Sequence, residues 1–238
     1  MQKIIAGNWK MNNTVEESLS LIKELKSLVK EVKDKEIIVC PPFTSLSTVA
    51  KELKDSKIRL GAQNLYFEQK GAFTGEISPL MLKDICVEYV IIGHSERRHI
   101  LKENDEMINK KMKSALANDL KPIFCVGETL KQRETGKTKD IVKGQITKGL
   151  AGIKDIRNII IAYEPVWAIG TGKNATPGQA EEVHLFIRKL IKAKIPILYG
   201  GSVNPKNIKD LISQKDIDGV LVGGASLNAK DFSQIVKC

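Results

Sequence analysis

Eight short apolar runs recur along the chain, beginning near Lys3, Glu36, Ile58, Tyr89, Pro122, Asn158, Ile195 and Gly219. Each is too short for a helix and reads as a buried strand. Segments with helical apolar spacing lie between them. The first opens with the capping box Thr14-Val15-Glu16-Glu17 and predicts an apolar stripe through Val15, Leu19, Ile22, Leu25, Val29 and Val32. Ser78-Pro79 and Asn204-Pro205 each place a capping side chain before a proline, which predicts two further helix starts. Thr176-Pro177-Gly178-Gln179 reads as a second capping box, with proline at the first helical position. Eight strand-helix units in 238 residues predict an α/β chain closed into a (β/α)8 barrel, a single domain over residues 1–238. An open doubly wound sheet is the alternative. No GxGxxG follows the first strand, which speaks against it.

A hydrophobic share of 42% is enough for a sizeable core, and no Pro/Gly/Ser-rich or low-complexity tract suggests a linker. MQKIIAGNWKM does not read as a signal peptide, and no run approaches the roughly 20 apolar residues that span a bilayer. Cys40, Cys86, Cys125 and Cys238 form no CxxC pair; they read as reduced, mostly buried thiols of a cytoplasmic protein. The net charge of +10 raises nucleic acid as a partner. Lysines nevertheless alternate with glutamates on helical faces, as in Glu16–Lys35, and there is no RNP motif, zinc-finger spacing or basic arm. The expectation is no nucleic acid and no membrane, with a modest positive field suited to a small anionic substrate.

Chemistry in such a barrel sits at the C-terminal ends of the strands. Strand 1 ends Gly7-Asn8-Trp9-Lys10, and strand 4 ends Gly93-His94-Ser95-Glu96-Arg97-Arg98. Strand 6 ends at Glu164, held extended by the proline that follows. Strands 7 and 8 end in Gly200-Gly201-Ser202 and Gly223-Gly224, and glycines there let backbone N–H groups approach an anion. Past Glu164, Ala168-Ile169-Gly170-Thr171-Gly172 is a run of mostly small residues between Pro165–Trp167 and Lys173–Ala175, which suits a hinged lid. An amide, an ammonium, an imidazole and a carboxylate thus converge on one mouth. A base for a C–H proton and donors for neighbouring oxygens are what moving a carbonyl between adjacent carbons requires. No metal is needed for that chemistry, and no Asp/His ligand cluster is visible.

The chain resembles the triosephosphate isomerase family from end to end. The matching segments are AGNWKMN (Ala6–Asn12), GAQN (Gly61–Asn64), GAFTGEISP (Gly71–Pro79), IIGHSERR (Ile91–Arg98), CVGE (Cys125–Glu128), AYEPVWAIGTGK (Ala162–Lys173), YGGSV (Tyr199–Val203) and LVGGASL (Leu221–Leu227). The resemblance implies a TIM barrel that interconverts dihydroxyacetone phosphate and D-glyceraldehyde 3-phosphate through an enediolate, without a cofactor. It implies Glu164 as base, His94 as electrophile, Asn8 and Lys10 on the substrate, and Glu96 supporting Lys10. Gly170, Ser202, Gly223 and Gly224 would hold the phosphate. It also implies a homodimer in which the Asn64–Glu76 loop, with Tyr66, Phe67 and Phe73, enters the neighbouring subunit and sets Thr74 near the partner's Asn8 and Lys10.

Two departures stand out. The segment Ile191-Lys192-Ala193-Lys194 before strand 7 is shorter than the family usually has, and a trimmed loop on the N-terminal face is expected. The second hinge reads Lys173-Asn174-Ala175, where many relatives have Lys-Thr-Ala.

Overall fold

The computed structural model describes residues 2–169 and 175–238. Its strands are β1 (Lys3–Asn8), β2 (Lys35–Cys40), β3 (Ile58–Ala62), β4 (Tyr89–Ile92), β5 (Lys121–Val126), β6 (Ile160–Tyr163), β7 (Ile197–Tyr199) and β8 (Gly219–Val222). All neighbouring pairs are parallel, and β1 pairs with both β2 and β8, so the sheet closes as β1-β2-β3-β4-β5-β6-β7-β8. The expected (β/α)8 barrel is the observed fold. Strand starts differ from the sequence reading by a residue or two. Lys35 and Lys121 open β2 and β5, while β6 and β7 begin at Ile160 and Ile197.

The helices are α1 (Val15–Val29), α2 (Phe43–Leu53), α3 (Pro79–Asp84), α4 (Ser95–His99), α5 (Asp105–Ala117), α6 (Leu130–Glu134), α7 (Thr138–Gly149), α8 (Pro177–Ile191), α9 (Ile208–Ile212) and α10 (Ala229–Lys237). Capping boxes at Thr14 and Thr176 start α1 and α8, and Ser78 caps α3 with Pro79 at its first position. The start expected at Asn204-Pro205 is corrected. There Asn204 Oδ1 accepts from the N–H groups of Lys206 and Asn207 in a turn, and α9 begins only at Ile208. The α1 stripe is corrected as well. Ser18, Leu21, Ile22, Leu25 and Val29 are buried, Leu19 is half-buried and Val15 is exposed. The helix is therefore rotated, and Ser18 Oγ reaches Ser45 Oγ of α2 at 2.9 Å.

Strand side chains alternate, and the alternation builds two cores. Ile4, Ala6, Ile38, Cys40, Tyr89, Ile91, Ile123, Cys125, Ile160, Ala162, Leu198 and Leu221 fill the barrel interior. The intervening residues, such as Ile5, Val39, Val90, Phe124, Ile161, Tyr199 and Val220, pack outward under the helices. Each inward row has two ends. At the N-terminal end Glu36, Tyr89 and Lys121 meet: the Tyr89 hydroxyl donates to Glu36, and Lys121 Nζ donates to the Tyr89 oxygen at 3.2 Å. At the C-terminal end the rows run on to Asn8, Glu164, Gly200 and Gly223. Of the cysteines, Cys40 and Cys125 are buried as expected, but Cys86 and Cys238 are exposed, which corrects the reading of mostly buried thiols. Among the described residues no helix is long and apolar enough to cross a membrane.

Candidate active site

Asn8 ends β1 on the inward row and is 5% exposed. Its Oδ1 accepts the Lys10 backbone N–H at 3.0 Å. Lys10 itself is left-handed, with φ of 55°, a conformation that a side chain adopts only when its surroundings over-determine it. Gln63 helps to do so from the end of β3, donating from Nε2 to the carbonyls of Lys10 and Cys40 at 2.8 and 2.9 Å. The Lys10 ammonium lies 2.6 Å from Glu96 Oε1. That pair is partly exposed, so it adds little stability and instead holds a positive charge at the mouth.

His94 follows β4, whose inward row would leave it facing the helices. Gly93 reverses the chain at φ of +73°, and His94 then caps α4 with its own ring. Nδ1 accepts the Glu96 N–H at 3.2 Å, so the ring proton belongs on Nε2 and the imidazole is neutral in this arrangement. Nε2 faces the cavity, 3.2 Å from Glu164 Oε1 but out of line for a hydrogen bond.

Glu164 is 2% exposed. Its Oε2 accepts the Ser95 backbone N–H at 2.8 Å, while its Oε1 receives no N–H or O–H among the described residues. A buried carboxylate oxygen left without a donor is an uncommon arrangement and marks a group kept ready for a reaction partner. Burial, together with the neighbouring Glu164 carboxylate, pushes the Cys125 thiol beneath it well above its ordinary range, so that thiol stays protonated.

Asn8, Lys10, His94 and Glu164 share one cavity of about 460 Å³ with Gly200–Asn204, Leu221 and Gly223–Ala225. Ser202, Gly223 and Gly224 line this cavity together with Lys10. Gly170 and most of the expected lid lie outside the described residues. The base of that segment is described: Ala168 O accepts from both the N–H and the hydroxyl of Ser202, at 3.0 and 2.9 Å.

Two residues matter here that the sequence reading left without a role. Glu128, fully buried, accepts from the Tyr163 hydroxyl, from Trp167 Nε1 at 3.0 Å and from Arg133 at 3.3 Å, and its carbonyl accepts the Val166 N–H. It ties the first hinge to the barrel wall. Its place just past the end of β5 is the only sequence signal, and any strand-end carboxylate shares it. Tyr199, on an outward row, is buried beside the Ala175 backbone, and burial pushes its phenol up to about 12. Nothing in its sequence context separates it from a core tyrosine.

The sequence profile of triosephosphate isomerases matches residues 3–238. The chain belongs to the triosephosphate isomerase family. Its relatives include the triosephosphate isomerase of Caldanaerobacter subterraneus subsp. tengcongensis, 58% identical over 98% of both chains. That of Endomicrobium trichonymphae is 56% identical over 98% of this chain and 97% of its own, and that of Dictyoglomus turgidum 54% identical over 99% of both. The carboxylate, histidine and lysine that the family resemblance singles out, Glu164, His94 and Lys10, are the ones that meet in this cavity.

Proposed function

We propose that this cavity is the active site at which the chain carries out the isomerisation of its family, dihydroxyacetone phosphate to D-glyceraldehyde 3-phosphate and back, a step of glycolysis and gluconeogenesis. The observation that carries the proposal is Glu164 Oε1: buried, without an N–H or O–H donor among the described residues, and beside the Nε2–H of a neutral His94. Glu164 leaves Ser95 and takes a proton from the carbon next to the carbonyl, and the electron pair moves onto the carbonyl oxygen as an enediolate. His94 donates from Nε2 to that oxygen and passes the proton between the two oxygens. The Lys10 ammonium lowers the energy of the developing charge. Return of the proton from Glu164 to the adjacent carbon completes the exchange, with no net change in protons or electrons. Asn8 orients the substrate oxygens and the Lys10 backbone. Ser202, Gly223, Gly224 and Gly170 hold the phosphate, the glycines through backbone N–H groups, and Glu96 places Lys10. A coupled assay on glyceraldehyde 3-phosphate tests the reading. Turnover that disappears in Glu164→Gln is expected; no turnover in the wild-type chain overturns it.

Further parts of the reading rest on the surface. Large exposed apolar side chains, Met11, Phe73, Met81, Ile100 and Leu101, sit on the segments that follow β1, β3 and β4, which lie in one arc of the ring. Tyr66 stacks on Phe67 at 4.3 Å and lies tilted against Phe73 at 4.7 Å, so the rings of the Asn64–Glu76 loop pack together, with Phe73 exposed. Apolar surface of this extent suits an interface, and a homodimer joined through this loop in the cytoplasm fits it. Light scattering is expected to show a dimer at micromolar concentration, with Phe73→Asp raising the monomer fraction. A fully active wild-type monomer overturns it.

A further inference from the structure

Outside the cavity, one side chain makes a pair of bonds to the backbone N–H and C=O of a single residue. Gln145, on α7, accepts the Gly127 N–H on Oε1 at 2.8 Å and donates from Nε2 to the Gly127 carbonyl at 3.1 Å. An amide used this way mimics a neighbouring strand and fixes one residue's backbone in both directions. Gly127 is the first residue beyond β5, where regular pairing gives way to single backbone bonds, from Glu164 N–H to Val126 O and from Val166 N–H to Glu128 O.

What Gly127 touches gives the clamp its consequence. A Cβ on residue 127 would stand 1.7 Å from the Glu164 carbonyl oxygen and 3.2 Å from its Cα. The two backbones are therefore in direct contact, and only glycine permits it. Just before it, Val126 O accepts the Glu164 N–H at 2.7 Å; just after it, Glu128 holds Val166 and Trp167. On the opposite side a Cβ on Gly200 would lie 2.9 Å from Glu164 Cγ, and the Gly200 N–H reaches Tyr163 O at 2.8 Å. Glu164 is thus wedged between two glycine backbones. Strand pairing runs up to Glu164 on both sides, and on the β5 side Gln145 adds a clamp on the residue in contact with it.

We infer that Gln145 is a positioning residue for the base: by clamping Gly127 it sets where the Glu164 main chain stands, and so where the carboxylate arrives over the substrate carbon. The inference rests on Glu164 being the base. Gln145 does not touch the cavity, and of the groups assigned to the phosphate Ser202, Gly223 and Gly224 follow β7 and β8, while Gly170 follows β6 as Glu164 does. Loosening Gly127 therefore displaces the base and leaves the phosphate-binding groups that follow β7 and β8 in place.

The test compares Gln145→Met, which keeps the length and loses both bonds, with Gln145→Glu, which puts an oxygen against the Gly127 carbonyl. Each is measured beside Glu164→Gln. Small misplacements of reacting groups cost up to about a hundredfold, so kcat per folded molecule is expected to fall roughly ten- to hundredfold in Gln145→Met. KM and inhibition by inorganic phosphate should stay within about twofold of wild type. In Gln145→Glu the ratio of its kcat to the wild-type kcat is expected to rise as pH falls, because protonation of the introduced carboxylate restores a donor to the Gly127 carbonyl. A purely structural role lowers the melting temperature with kcat per folded molecule unchanged, and that result overturns the inference. So does a parallel rise in KM, or failure of both variants to fold. If Glu164→Gln itself turns over normally, it is the assignment of the base that fails.

Discussion

The two ends of the inward rows are built from the same kinds of groups and treat them in opposite ways. At the N-terminal end, Glu36, Tyr89 and Lys121 bond to one another. Burial and the Glu36 carboxylate push the Tyr89 phenol far above its ordinary range, so it stays a donor at any working pH. At the C-terminal end, Glu164 keeps one oxygen without an N–H or O–H donor among the described residues, and Lys10 holds a left-handed backbone. One end closes its hydrogen-bond valences and the other holds them open, over a distance of a few residues along each strand. Open valence and backbone strain cost stability. Their concentration at the mouth places the chemistry there, and the sealed end reads as a cap on the barrel core.

The sharpest way to break this comparison is to remove the open group. Glu164→Gln keeps shape and the bond from Ser95 but removes the base. General-base catalysis is worth roughly 10²–10⁴-fold, so kcat should fall at least that far while the melting temperature stays within a few degrees of wild type. A variant with near-normal turnover would show that the open oxygen is not the reactive one.

A smaller effect is expected from His184, a histidine treated unlike His94. It is fully buried on α8 behind the wall, edge-on to Tyr163, with Nδ1 against the Asp216 carbonyl at 3.2 Å. Burial lowers it from 6.5 to about 3. The unfolded chain therefore binds a proton here that the folded chain refuses between those values. Stability from this group is complete above about pH 6.5 and is lost as pH falls toward 3. Urea midpoints measured from pH 7.5 down to 4.5 should decline. In His184→Asn, which keeps a donor for Asp216, the decline should be shallower. Equal slopes would assign the acid sensitivity to other groups.

The smallest effect is expected at the sealed end. Tyr89→Phe removes the donor to Glu36 at a cost of about 1–2 kcal/mol, which for a chain of this size is a few degrees in melting temperature. Turnover should remain within about twofold of wild type. A kinetic defect as large as that of a mouth variant would mean that the two ends are coupled through the inward rows, contrary to the comparison.

Much of this was legible before any coordinates. The eight apolar runs pointed to parallel strands covered on both faces, and their number, with no GxGxxG after the first, favoured closure over an open sheet. The strand-end rule led to Asn8, Lys10, Glu164 and the glycine pairs, since an inward period-2 row extended past its last paired residue must face the mouth. Capping chemistry placed α1, α3 and α8 because it is local. What the chain did not announce needed partners distant in sequence. The α1 face turned because Ser18 found Ser45, and α9 started late because Asn204 satisfied its bonds in a turn. Gln145 looks like any polar residue on a helix, and Glu128 like any strand-end carboxylate, until Gly127 and Trp167 are set beside them. His94 breaks the alternation of its strand, and only the positive φ of Gly93 brings its ring round to the cavity, where the backbone N–H of Glu96 selects the tautomer. Periodicity and capping are written within a few residues of where they act. Which oxygen lacks a donor, and which imidazole nitrogen carries the proton, depends on groups that meet only once the barrel has closed.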